Sequence, residues 1–131
     1  MKYKYELAGL EYHEDINSKV YMHVGFLLHN LNTNEVFFKS VLEDTLLKAF
    51  DNGVNIKLVK DYINGIEVNI KHIEYEYFSI TEFIKLGTER LKFGDVYTWE
   101  DLDSTEDMIN YLVEGMKISN EVLIKLMKRR K

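Results

Sequence analysis

Four histidines, His13, His23, His29 and His72, are the residues best suited to move a proton or hold a metal. His23 and His29 fall on the same side of an extended segment, but six residues of strand set them about 20 Å apart. That is too far for one ion, and no further ligand stands at metal-binding spacing. No metal or cofactor site is expected. Pairing the first two extended segments sets His23 beside Glu11, where a carboxylate would raise the imidazole pKa and suit general-base work. The plainer reading, a half-exposed cross-strand pair of modest value, carries more weight because no orienting group is visible. No catalytic residue is assigned, and an enzyme with an unrecognised acid/base site stands as an alternative.

The densest chemistry lies in Trp99, Glu100, Asp101, Asp103, Glu106 and Asp107, which hold the only tryptophan and five acids. Helix capping accounts for Glu106 and Asp107, since carboxylates in a first turn favour its positive end. Calcium fails, because the ligand order and sixth-position glycine of an EF-hand loop are missing. Capping says nothing of Trp99, Glu100 and Asp101, and the reading adopted makes all six, Trp99, Glu100, Asp101, Asp103, Glu106 and Asp107, a partner-binding surface whose acids imitate phosphate charge and meet a basic groove. At the other end, Lys125, Lys128, Arg129, Arg130 and Lys131 would suit a phosphate backbone. Yet residues 117–131 carry +5 while residues 1–116 carry −10, and so acidic a body repels a polyanion. Direct nucleic-acid binding through that tail is therefore the weaker alternative. Glycines form no phosphate loop, and no Ser-His-Asp set can be argued.

A chain of 131 residues, 46% hydrophobic and 30% charged, reads as one folded domain, 1–131. Without cysteine it has no disulfide framework, thiolate nucleophile or Cys-type zinc site. No apolar run of about 18 residues and no leader-like segment appears, so a soluble cytoplasmic protein is expected, with no membrane partner. The 14 Lys against 3 Arg, with 10 Asn and 11 Ile, are residues of AT-rich codons and point to a bacterial or phage genome.

These groups need a scaffold. Residues 2–14 alternate as a strand whose phase changes at Ala8-Gly9: Tyr3, Tyr5 and Leu7 share one face, Leu10 and Tyr12 the other. A β-bulge there would put all five on one side. Residues 19–29 then pair with it, Tyr12 with Met22, Leu10 with Val24, Leu7 with Phe26 and Tyr5 with Leu28. Residues 35–39 make a third strand with Val36 and Phe38 inward and Phe37 outward. Ser40 and Glu43 read as a capping box for a helix burying Leu42, Leu46, Ala49 and Phe50, with Asp44 and Lys48 paired outside.

Asn64-Gly65, flanked by alternating apolar residues, is a strong hairpin signal. It predicts a long β-hairpin over 54–79, with Ile63 opposite Ile66, Val59 opposite Ile70 and Val54 opposite Tyr75. Its base joins the core, while Val59, Ile63, Ile66, Val68 and Ile70 form an apolar face at the tip. That face is either roofed by C-terminal helices or kept as a dimer interface or partner anchor. Further helices are expected over 81–91, from Ser104 or Thr105 to about Gly115, and from Ser119 onward, with Gly94 to Asp103 a loop or short strand. The expected architecture is α+β: an antiparallel sheet of about five strands (β-meander, helix, long β-hairpin) with a helical C-terminal third.

The function that follows is non-enzymatic. A small acidic binding protein would occupy a surface of a larger macromolecular machine, its protein partner offering a basic groove, with a homodimer as a further option. Its style is similar to that of phage-encoded inhibitors of host defence, such as anti-CRISPR proteins that block a nucleic-acid groove. Such a protein would work in the host cytoplasm.

Overall fold

A ten-residue strand, β1 (Tyr3–Tyr12), runs through the middle of a five-stranded antiparallel sheet. On one side lies β2 (Met22–Asn30), and outside that β3 (Val36–Ser40). On its other side two short strands follow one another, β4 (Leu91–Phe93) beside Leu10 to Tyr12 and β5 (Tyr97–Asp101) beside Tyr3 to Leu7. Helices are α1 (Asp44–Phe50), α2 (Ile56–His72), α3 (Ile80–Phe83), continued by a 3-10 turn to Leu86, and α4 (Thr105–Arg129). This computed structural model describes residues 2–73, 78–88 and 90–129, with main chain alone at 86 and 129. The α+β class and the strand count agree with the sequence reading; several elements do not.

The largest correction is α2. Residues 56–72 form one helix, not the arms of a hairpin. Asn55 caps it by accepting from the Leu58 amide at 3.1 Å, and Asn64-Gly65 sits in its interior. Val59, Ile63, Ile66 and Ile70, at spacings of four, three and four, are its buried face. Val68 points to water, 53% exposed. There is thus no hairpin tip: four of its five expected residues are core, and Tyr75 lies outside the described residues.

The phase change in β1 also has a different cause. Tyr5 packs with Phe26, Leu28, Met108 and Ile109 under α4, whereas Ala8, Leu10 and Tyr12 pack with Leu47, Val59, Ile63 and Ile66 on the opposite face. A sheet buried on both faces needs no bulge to reconcile its two apolar sets. The bulge lies on β2 instead. Leu10 pairs with Gly25 and Glu11 with His23, leaving Val24 extra. The Tyr12 and Met22 pair stands as expected, but beyond the bulge Leu7 meets Leu28 and Tyr5 meets Asn30. Gly25 is needed there, since a Cβ would come within 2.7 Å of the Phe38 ring. β2 starts at Met22, and Val20 is exposed.

In β3, Val36 and Phe38 face the α2 core and Phe37 the α4 side. The capping box is absent: α1 starts after Glu43 with no side-chain cap, and the Ser40 hydroxyl accepts from the Leu42 amide at 3.3 Å. Leu47 and Phe50 are its buried residues, Ala49 is exposed, and Asp44 pairs with Lys60 of α2 at 2.8 Å rather than with Lys48. The helix expected over 81–91 stops short, because Thr88 bonds Leu91 through main chain and hydroxyl and turns the chain into β4. Finally, the two C-terminal helices are one: Gly115 and Ser119 both lie inside α4.

Candidate functional site

β5 places the acidic run. Main-chain pairing sets Trp99 beside Tyr5, with ring centroids 5.6 Å apart. The Tyr5 hydroxyl donates to the Asp103 carbonyl at 2.8 Å, and burial raises its pKa. Asp101 Oδ1 accepts from the Asp103 amide at 3.1 Å, and Ser104 Oγ from the Asp107 amide at 3.2 Å. Ser104 is thus the cap expected at the head of α4. Asn30, buried at the end of β2, donates to Thr105 Oγ1 at 2.9 Å. Asp103 and Thr105 are tied to the sheet in this way, while the bonds of Asp101 and Ser104 fix the turn and the helix start around them.

Between β5 and the first turns of α4 runs an open cleft of about 520 Å³. Tyr97, Trp99 and Tyr111 supply aromatic surface, Leu7 and Met108 the floor, and Asp101 and Asp103 the rim. Carboxylates beside aromatic faces suit an ammonium or guanidinium group, through charge-assisted hydrogen bonds and cation-π attraction. The structure therefore brings together Trp99, Asp101 and Asp103. Glu100 falls on the opposite face of the strand, exposed, while Glu106 and Asp107 stand exposed in the first turn of α4, where the helix dipole favours them. Tyr97 and Tyr111, absent from the sequence-based set, complete the cleft. Tyr97 was legible as an alternate neighbour of Trp99 on a strand; Tyr111 comes from a helix, and nothing local marked it. Among the described residues, no strand pairs with the outer edge of β5.

The histidines are arranged differently from expectation. Glu11 does lie opposite His23, but its carboxylate bonds His13 Nε2 at 3.0 Å, whose Nδ1 faces the Ser18 carbonyl at 3.2 Å. Burial dominates at His23 and lowers its pKa, outweighing the upward pull of Glu11. This reverses the expected direction. The β2 bulge also separates His23, over Gly9 and Met116, from His29, which packs edge-on to Phe78 and bonds Glu6. Among the described residues no cluster could hold a metal ion. A second cleft of about 550 Å³ is lined by His13, Glu11, His23, Tyr21 and Lys92.

His23 titration offers a direct check. Below the ordinary value of 6.5 the unfolded chain takes up a proton that the fold resists. The stabilising contribution is complete above that pH and declines as pH falls below it. An imidazole resonance titrating below 6.5 and lost in His23→Gln is expected by NMR; a midpoint at or above 6.5 would show that Glu11 prevails.

A third cleft, about 720 Å³, lies between the head of α2 and β4. At its base the Tyr12 hydroxyl donates to Asp51 Oδ2 at 2.5 Å, with Arg90 3.8 Å from the same oxygen. Burial, aided by Asp51, pushes the Tyr12 phenol up to about 12.

The fold and cleft define an α+β protein with helices on both faces of its sheet and an acidic, aromatic edge. No protein-family model, curated protein or solved structure matches the chain. Among the described residues no helix is long and apolar enough to cross a membrane.

Proposed function

We propose that this chain is a non-enzymatic binding protein that occupies a basic surface of a larger macromolecular assembly. The cleft between β5 and α4 would receive an arginine or lysine of that surface. The observation that carries this reading is the placement of Tyr97, Trp99 and Asp101 on one face of β5, with Asp103 at the turn and Tyr111 of α4 across the cleft. A net charge of −5 adds long-range attraction for a basic partner. An inhibitor that covers a nucleic-acid groove would need these features, and a phage protein acting in the host cytoplasm on a defence complex is the form we favour.

The test is neutralisation in place. Asp101→Asn with Asp103→Asn keeps the acceptor that Asp101 gives the turn, so the fold should survive. Affinity for an immobilised arginine-rich peptide should fall about tenfold, corresponding to 1.4 kcal/mol, and its salt dependence should flatten. Glu100→Gln, on the other face, should change little. Equal affinities for wild type and the double variant would remove the proposal.

A further inference from the structure

α4 is apolar on two faces. One is buried, through Met108, Ile109, Asn120 and Ile124. The other carries Tyr111, Ile118, Val122 and Leu126, between 48% and 74% exposed. At 100° per residue these four and Gly115 fall within an arc of about 80°, in a stripe roughly 22 Å long. Scattered exposed apolar residues are ordinary, but a continuous stripe at heptad-like spacing is the seam of a helix pair.

Charge says what pairs there. From Thr105 to Met116 the helix carries Glu106, Asp107 and Glu114 with no base; from Lys117 to Arg129 it carries four bases and one acid. The helix dipole explains only the terminal turns, since its influence fades beyond them. Glu114, Lys117 and Lys125 lie further in. Asp107, Glu114 and Lys125 also follow a single flank of the stripe by their helical angles, with Glu121 and Lys128 about 20–40° further round the same side. A two-fold axis near Ile118 would lay that flank against itself reversed, acidic half on basic half. A parallel pair would set like charges together.

We infer that α4 pairs antiparallel with α4 of a second copy of this chain, Tyr111 packing on Leu126 and Val122 crossing at Gly115. Gly115 fits such a crossing. Glycine weakens a helix interior relative to alanine, and a Cβ at this position would meet nothing within 4 Å, so among the described residues no contact requires its absence. A second helix at that point gains a closer approach. Tyr111 also walls the β5 cleft, so pairing would compete there with a ligand for that ring, whereas Ile118, Val122 and Leu126 lie outside the cleft.

Sedimentation of the full chain at low salt tests it. At micromolar concentrations a species of twice the 15.6 kDa chain mass is expected. Ile118→Glu, exposed in the single chain, should leave the circular dichroism melt intact and raise the dimer dissociation constant at least about tenfold. Glu114→Lys and Lys125→Glu should each weaken the dimer, and the two together should restore it. A wild-type monomer throughout the range, or a dimer indifferent to Ile118→Glu, would overturn the interface. Failure of the double exchange to restore pairing would overturn the antiparallel register.

Discussion

Ile63→Ala should destabilise the protein by about 2–5 kcal/mol, the usual cost of truncating a core isoleucine, whereas Val68→Ala should stay within about 0.5 kcal/mol. Ile63 is 4% exposed and packs against the sheet through the α2 face it shares with Val59, Ile66 and Ile70. Val68 stands on the other side of the same helix. In a hairpin both would lie on one apolar face and both would matter. Gly65 gives the companion result. With open space at its missing Cβ and no positive φ, Gly65→Ala should add about 0.5–1 kcal/mol. In an Asn-Gly turn the same change would be costly, because such turns hold both central residues at positive φ. Urea unfolding of the three variants reads all of this. Equal losses at positions 63 and 68, or a loss at 65, would contradict the helix.

Residues 56–72 resemble a hairpin in sequence for a physical reason. When the stretch is paired as a hairpin, its apolar face changes sides between base and tip. That change is how a 3.6-residue period looks when sampled with a period of two. The signal for a helix therefore lies in the anomaly itself, in competition with the Asn-Gly dipeptide. The phase change in β1 is the same lesson in a strand. Tyr5 and Leu10 point to opposite faces because helices cover both faces of the sheet, and a period-two pattern marks one buried face only. What was legible was local: the β1 and β2 pairing at Tyr12 and Met22, the inward Val36 and Phe38, the Ser104 cap, and the neighbours Trp99, Asp101 and Asp103. What was not legible depends on distant contacts. The bulge sits where Gly25 meets Phe38, Glu11 turns from His23 to His13, and Tyr12 reaches Asp51 across 39 residues.

Asn120 is the most consequential of these distant contacts, and Asn120→Leu should cost about 2–5 kcal/mol. Its side chain is buried; Oδ1 accepts from the His23 amide at 3.1 Å and Nδ2 donates to the His23 carbonyl at 2.8 Å. β3 pairs with β2 only as far as Gly25 and Ser40, after which Val41 donates to Val24 and the chain departs. Among the described residues the main-chain groups of His23 are thus left without a strand partner on that side, and one amide side chain of α4 supplies both halves of the missing pair. Leucine matches the size but satisfies neither group, and each unsatisfied buried polar group costs about 1–3 kcal/mol. The His23 amide should then exchange its hydrogen faster by NMR, while Asn120→Asp, which keeps the acceptor alone, should protect that amide and lose only part of the stability. Unchanged unfolding and exchange in Asn120→Leu would show that packing of Ile124 and its neighbours suffices to seat α4. If the loss appears, a single side chain fixes the rotation of α4 about its axis. That rotation decides which residues wall the β5 cleft and which stripe faces outward.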